Sequence, residues 1–243
     1  MPPRMRVHDG LLKAVVNGSI AATLLLGADK AAAQLDGGLS IVSDYRFRGA
    51  SLSDGHPELQ AHLGYDGKGG WYAGGFASGV DLKGETGGQA QLSAYAGYSR
   101  RQNSKTAWEA GAVKTIFLHA AEYDYLEGYA GFAMDNAAGR IYFSPDYFGQ
   151  RARTLYAEFN GSYPLRPGLR LLGHIGLLHA FPASSGPVTN SSNRTDISLG
   201  VGAGLAQWNI RLAWTAASQH GDMPAPYGGS GSHAWVLDVT ATF

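Results

Sequence analysis

Hydrophobic and polar residues alternate with period two along most of the chain after residue 38. Ile197, Leu199 and Val201, for example, alternate with polar or small residues, and successive side chains of a β-strand point to opposite faces. Gly-rich or polar breaks separate these segments. About twelve segments result, at residues 38–49, 57–66, 70–82, 88–99, 106–118, 122–135, 138–148, 152–163, 168–180, 194–206, 207–218 and 232–243. The pattern predicts an all-β protein of about twelve strands.

The breaks between these segments roughly alternate between short and long. The short ones lie at 66–70, 99–105, 135–138, 164–167 and 206–207, and the others at 50–56, 83–87, 118–122, 145–152, 181–193 and 219–231. Outer-membrane barrels have short periplasmic turns and longer extracellular loops, whereas a soluble β-sandwich has no reason to sort its connections in this way. The sorting predicts a transmembrane antiparallel up-and-down β-barrel.

The last segment alternates cleanly and ends on an aromatic residue. Trp235, Leu237, Val239 and Phe243 share its apolar face, and Asp238 lies on the opposite face. An apolar face toward lipid and a polar face toward a lumen is the barrel pattern. Outer-membrane proteins resemble one another in ending this way, so we expect Trp235, Leu237, Val239 and Phe243 to form an assembly signal for the barrel-assembly machinery. A plain edge strand of a soluble β protein is the alternative interpretation.

The beginning of the chain has the features of a secretory signal peptide. Arg4, Arg6 and Lys13 precede a mostly apolar run at 14–28, and small residues follow at 31–33. The run is shorter than the roughly 20 residues that a membrane-spanning helix needs. We therefore predict a cleaved signal peptide at residues 1–33 and a barrel at residues 34–243, exported to the outer membrane of a Gram-negative bacterium.

Composition narrows the function classes further. The chain has 35 Gly and no Cys, which favours a turn-rich fold and removes disulfides, thiolate metal sites and a Cys nucleophile from consideration. Without residues 1–33, 15 Lys and Arg stand against 17 Asp and Glu, so the charge gives no indication of a nucleic-acid partner. Aromatic residues near strand ends fit interfacial girdles: Tyr45, Phe47, Trp71, Tyr72, Tyr98, Tyr163, Trp208, Trp235 and Phe243.

Three stretches resemble a known family. They are Ser43-Asp-Tyr-Arg-Phe-Arg-Gly49, Ser51-Leu-Ser-Asp-Gly-His-Pro57 and Gly70-Trp-Tyr-Ala-Gly74, and they resemble the opening signature of the TorF-like porins. The resemblance implies an outer-membrane barrel of poorly defined substrate with no catalytic residues to transfer. The chain departs from the expected pattern at residues 50–53 and near 114–120.

A porin selects solutes through charged side chains that line its lumen. In the first segment, the alternation places Leu39, Ile41, Tyr45 and Phe47 toward lipid, with Arg46 and Arg48 side by side on the lumen wall. The expected lumen and selectivity residues are Asp44, Arg46, Arg48, Gln60, His62, Glu158, Arg170, His174, Asp196, Arg211 and Asp238. The sequence thus predicts a porin for small polar solutes, embedded in outer-membrane lipids. Loops 181–193 and 219–231 are expected to constrict the lumen or to recognise the solute.

Two alternatives stay open at this point. The first is a non-conducting barrel, filled by salt bridges, that recognises a partner through its outer loops. The second is a barrel-embedded hydrolase, although the chain has no Gly-x-Ser-x-Gly, Ser-x-x-Lys or His-Glu-x-x-His motif. Carboxylate and imidazole pairs such as Glu122 with Asp124 lack a full ligand set. No catalytic residue, metal site or cofactor is therefore predicted, and the solute and the oligomeric state are left open.

Overall fold

The computed structural model describes residues 34–82, 89–182, 190–220 and 233–243, almost all of them in strands or tight connections. The strands are β1 (Gln34–Val42), β2 (Arg46–Phe47), β3 (Ala50–Ser51), β4 (Glu58–Asp66), β5 (Trp71–Val80), β6 (Gln89–Arg101), β7 (Thr106–Leu118), β8 (Tyr125–Met134), β9 (Ala137–Ser144), β10 (Thr154–Arg166), β11 (Leu169–Ala180), β12 (Ser192–Leu205), β13 (Trp208–His220) and β14 (His233–Thr242). The predicted signal peptide at 1–33 lies outside the described residues and stays a prediction.

Twelve of the strands in the described part of the chain form one closed barrel. Each strand pairs antiparallel with its neighbours in chain order, apart from the two-residue strands β2 and β3, which pair only with each other. β1 closes the barrel by pairing with β14 from Gly38↔Thr242 to Val42↔Asp238, and with β4 along its whole length. The prediction of a twelve-stranded antiparallel β-barrel is therefore confirmed.

The outer surface of the barrel is an apolar band. Every second residue of each wall strand points outward, and large apolar side chains dominate these positions: Leu39 and Leu59 are 52% and 63% exposed. Of the predicted girdle residues, Trp71, Tyr98, Tyr163, Trp208, Trp235 and Phe243 are likewise exposed. Such a band is the lipid-facing surface of an outer-membrane barrel.

The first predicted segment, 38–49, is wrong beyond Val42, where β1 ends. Val42 pairs directly with Glu58 of β4, and the chain leaves the wall after Ser43, whose backbone N–H still donates to the Leu237 carbonyl of β14 at 2.8 Å. Tyr45 and Phe47, expected to face lipid, are 1% and 6% exposed and lie inside the barrel. Tyr72 is also buried, because it is on the inward-facing set of β5.

The short connections all lie at one end of the barrel, called here the short-turn end, and the longer ones lie at the other, the long-loop end. Residues 83–88, 183–189 and 221–232 are outside the described part. The predicted loops 83–87, 181–193 and 219–231 therefore lie wholly or mostly outside it. Within the described ranges, no helix is long and apolar enough to cross a membrane.

The barrel seam gives a test of the predicted assembly signal. Phe243 exchanges backbone hydrogen bonds with Gly37 of β1, at 3.0 and 3.3 Å, while its ring is 77% exposed. Deleting Phe243 removes both the ring and these bonds, so we predict a clear loss of folded barrel, measured as heat-modifiable mobility on gels. Phe243→Ala keeps the backbone bonds and is the matched control. If the ring is the signal, Phe243→Ala should fail as the deletion does, whereas normal folded yield from both variants would contradict a role for Phe243.

Candidate functional site in the barrel lumen

Residues 43–57 are called here the lumen hairpin. Residues 44–53 of this hairpin are buried inside the barrel, apart from the half-buried Gly49, whereas residues 55–57 are exposed. β2 and β3 pair through Phe47↔Ala50, which leaves Arg48 and Gly49 as a two-residue turn. Both have positive φ, 49° and 74°, as a type I′ hairpin turn requires. Arg194 on β12 donates from Nε to the Arg48 carbonyl at 3.0 Å. The tip of the hairpin therefore reaches the wall far from β1.

The base of the lumen hairpin is held by its own polar groups. Asp44 accepts a hydrogen bond from Arg46 Nε at 2.6 Å and one from the Ser51 hydroxyl at 2.5 Å. The Tyr45 backbone N–H donates to the Ser53 hydroxyl at 2.9 Å. The Asp44 and Arg46 charges thus neutralise each other within the hairpin, and both side chains are buried.

Arg48, at the tip, occupies a set of groups that we call the cation box: Glu127, Tyr142, Tyr147 and Tyr156. Its Nη2 donates to Glu127 Oε2 at 2.8 Å, and its Cζ lies 4.2 Å from the Tyr156 ring centroid, with the Tyr142 and Tyr147 centroids at 5.2 and 5.3 Å. Burial, the largest single influence, would by itself lower the pKa of the guanidinium, but Glu127 together with the nearby Tyr147 and Tyr125 outweighs it and raises that pKa above its ordinary value. Arg48 is therefore a buried permanent cation.

An apolar cluster fills the lumen at the long-loop end. It combines the lumen hairpin, the connection between β9 and β10, and inward wall residues, among them Tyr45, Phe47, Leu52, Phe117, Tyr125, Tyr147 and Phe148. Burial raises the pKa of the Tyr45 hydroxyl, which stays protonated and donates to Gln91 at 3.1 Å. The described part of the lumen is therefore constricted by residues 43–57 and 145–153. Loops 181–193 and 219–231 lie mostly outside the described residues, so their predicted part in constriction or recognition stays a prediction.

The inward face of the wall is charged. Each of the eight consecutive strands β7 to β14 contributes a buried or nearly buried ionisable side chain: Glu109, Glu127, Arg140, Glu158, His174, Asp196, Arg211 and Asp238. Several of these residues form close pairs. Arg140 Nε contacts Glu109 Oε1 at 2.5 Å, and His174 Nε2 lies 2.7 Å from Asp196 Oδ1. Arg211 and Asp238 are further apart, at 3.9 Å.

The predicted lumen residues occupy three environments. Glu158, His174, Asp196, Arg211 and Asp238 are inside the barrel on the wall. Gln60, His62 and Arg170 are half-buried, and the Gln60 and Arg170 side chains bond inward partners, Ser78 and Ser162, at 3.1 and 2.6 Å. Asp44, Arg46 and Arg48 lie in the lumen on the hairpin, so the prediction that Arg46 and Arg48 stand on the wall is wrong. The part these residues play in selectivity stays a prediction.

Sequence reasoning missed the wall residues Glu109, Glu127 and Arg140, together with the inward tyrosines. A signal was available, because the three charged residues alternate with the outward Trp108, Leu126 and Ile141. That signal was masked in residues 106–118, where the alternation looks poor. Val113 and Phe117 point inward there and are apolar because the lumen at that level is filled.

Solved structures of outer-membrane porins and channels share this fold. The NanC porin superposes with a TM-score of 0.51 at 11% identity, over 86% of this chain and 99% of that one. An outer-membrane channel from Pseudomonas putida F1 gives 0.51 at 12% identity, over 89% and 97%. The KdgM porin gives 0.49 at 11% identity, over 87% and 99%. The NanC and Pseudomonas putida matches show that the protein has the fold of these outer-membrane proteins.

The family is shown by a separate match. A family model described as a bacterial protein of unknown function, Gcw_chp, matches residues 28–243, so the chain belongs to the Gcw_chp family. No curated protein sequence matches it significantly. The structural matches confirm the porin-like β-barrel that the resemblance to the TorF-like porins implies. The assignment to the TorF-like porins itself stays a prediction.

The hairpin tip gives a test of the inserted conformation. A Cβ on Gly49 would lie 2.6 Å from Asp196 Cβ and 2.7 Å from Ala217 Cβ, whereas one on Gly69 would meet nothing within 4 Å. Both glycines have positive φ, so Gly69→Ala is a control for backbone strain alone. Overpacking costs about 1–3 kcal/mol, so we predict that Gly49→Ala loosens the hairpin and raises its accessibility roughly tenfold.

The chain has no cysteine, so a single Ser53→Cys substitution reports on the hairpin without background. Ser53 is fully buried. Maleimide labelling of that thiol should be faster with Gly49→Ala and unchanged with Gly69→Ala. Equal labelling rates in both backgrounds would contradict the close contact of the tip with β12 and β13.

Proposed function

We propose that this protein is a porin of the Gram-negative outer membrane that lets small polar solutes diffuse through a charged, constricted lumen. The observation that carries the proposal is the row of ionisable side chains on β7 to β14. Buried ion pairs add little to stability, and apolar residues of similar volume often serve as well or better. Rings of charged side chains are, in contrast, a recognised means of solute selection. The fold and the resemblance to the TorF-like porins support the same function.

The lumen carries an excess of acidic groups. Among the described buried residues, six acids, Asp44, Glu109, Glu127, Glu158, Asp196 and Asp238, stand against Arg46, Arg48, Arg140 and the nearly buried Arg211. The half-buried ionisable residues add to this excess, with the acids Asp36, Asp54, Glu58, Asp66 and Asp124 against Arg170 and Arg194. A pathway with this excess lowers the free energy of a cation relative to an anion, so the proposed porin prefers cations.

A second candidate is favoured by the filled long-loop end: a barrel that recognises a partner through its outer loops without conducting. The apolar cluster of the lumen hairpin and the β9–β10 connection is the observation behind it. Conduction by the folded protein separates the two candidates.

We infer that the protein is not a hydrolase. His174 is the buried histidine of the charged row, and both of its ring nitrogens are engaged, Nε2 with Asp196 and Nδ1 with Asn160 at 2.6 Å. Neither nitrogen is placed to activate a serine hydroxyl. This proposal has two further partners. They are the outer-membrane lipids at the apolar band and the barrel-assembly machinery at β14.

Ion preference tests the role of the lumen charges. Glu158→Gln removes one acid of the charged row and keeps an oxygen near the Tyr142 hydroxyl, which lies 3.5 Å from Glu158 Oε1. We predict that the reversal potential across a salt gradient shifts toward zero in a planar bilayer, because the excess of acids falls. Asp135→Asn, at an exposed residue of the β8–β9 turn, is the control and should leave the potential unchanged. An unchanged potential with Glu158→Gln would remove Glu158 from the selectivity filter.

A further inference from the structure

We propose that the cation box is a recognition site for organic cations of the guanidinium and alkylammonium class, and that Arg48 occupies it in this conformation as a tethered stand-in for the solute. The inference rests on the proposed porin function, since it names the class of solute that the lumen takes. It assigns a binding role to Glu127, Tyr142, Tyr147 and Tyr156.

The chemistry of the box is specific for a cation. Three tyrosine ring faces lie within 5.3 Å of the Arg48 Cζ, and a carboxylate oxygen lies 2.8 Å from Nη2. Ring faces attract cations through their quadrupole, more strongly when water is excluded. An anionic solute would instead meet the Glu127 charge, so the same groups disfavour it.

The hairpin itself brings the Phe47 ring to 4.7 Å from the Arg48 Cζ, but the four residues of the cation box belong to the wall strands and the β9–β10 connection. Glu127, Tyr142 and Tyr156 project from β8, β9 and β10, which are hydrogen-bonded to each other along the barrel. Tyr147 comes from the β9–β10 connection, where its backbone N–H donates to the Ala152 carbonyl at 2.8 Å. Because Val42 and Glu58 pair directly at the foot of the hairpin, withdrawal of residues 43–57 leaves these positions in the wall.

Arg48 does not use all that the box offers. Among the described residues, Arg48 Nε and Nη1 and Glu127 Oε1 have no hydrogen-bond partner, although these atoms are buried. A guanidinium and a carboxylate prefer two parallel hydrogen bonds, and the tethered pair makes one. A free guanidinium can turn to form both, whereas the tether holds Arg48 to one.

Chemical rescue tests the proposal. Arg48→Ala empties the box, and ethylguanidinium replaces the missing side chain. Calorimetric titration of the refolded variant in detergent should show saturable binding, and ethylguanidinium should raise its unfolding temperature. Wild-type protein should bind at least about tenfold more weakly, because Arg48 fills the site. Urea, a neutral planar analogue, should not bind.

Two further variants identify the contacts. Arg48→Ala with Glu127→Gln should weaken binding about tenfold, because the charge-assisted bond is lost. Arg46→Ala is the matched control: its guanidinium is also buried but pairs with Asp44, and its removal should create no ethylguanidinium site. Where Arg48→Ala yields too little folded protein, replacing residues 43–57 by an Asn-Gly turn empties the same box, and the same titration decides.

The outcomes separate this inference from the proposed function. No binding by folded Arg48→Ala, or equal binding of urea, overturns the cation box even if the protein conducts. Saturable binding by a folded protein that shows no conductance in a bilayer supports the cation box and contradicts the proposed porin function.

Discussion

Closure of the strand ladder is the constraint on which the rest of the structure depends. In a lipid environment every backbone N–H and C=O of a spanning strand needs a partner, and only a closed barrel supplies them all. β1 supplies the seam by pairing with β14 on one side and β4 on the other. The direct pairing of Val42 with Glu58 leaves no place in the wall for the residues that follow Ser43, and residues 44–53 lie in the interior of the barrel.

The side chains that the hairpin and the wall bury in the lumen then need packing or hydrogen-bond partners. At the long-loop end the lumen provides apolar packing around Phe47, Phe117 and Phe148. It also uses ion pairs: Asp44 with Arg46 inside the hairpin, Glu127 with Arg48 between hairpin and wall, and Glu109 with Arg140 on the wall. The only ion pair of these three that joins the hairpin to the wall is that of Arg48. The position of the hairpin therefore decides whether the Glu127 charge on the wall is paired with Arg48.

Most of the wall could be predicted from the sequence because a strand is a local pattern. Alternation such as that of Ile197, Leu199 and Val201, bounded by Gly-rich or polar breaks, identifies a strand without knowledge of its neighbours. The lumen hairpin could not be found in this way. Asp44, Arg46 and Arg48 alternate with Tyr45 and Phe47 as a wall strand would, so the period continues after the chain has left the wall. The Arg48-Gly49 pair, at the turn, was the remaining local signal.

The candidate site depends on contacts between distant parts of the chain. Arg48 meets Glu127, Tyr142 and Tyr156 only because the barrel closes and the hairpin turns inward. Even the inward Glu109 was hidden, since the apolar inward residues Val113 and Phe117 make both faces of β7 apolar toward the long-loop end. Prediction of strands from alternation assumes that the inward residues are polar because they face water. It fails where apolar side chains pack inside the lumen.

The most direct test of a porin constricted by its own hairpin is the unitary conductance of the folded protein in a planar bilayer, with and without residues 43–57. Val42 and Glu58 are already register partners, so a two-residue turn can join them with β1 and β4 unchanged. We predict discrete openings for both proteins and a clearly larger conductance for the shortened one. Equal conductance would contradict constriction by the hairpin, and silence from both folded proteins would contradict a porin.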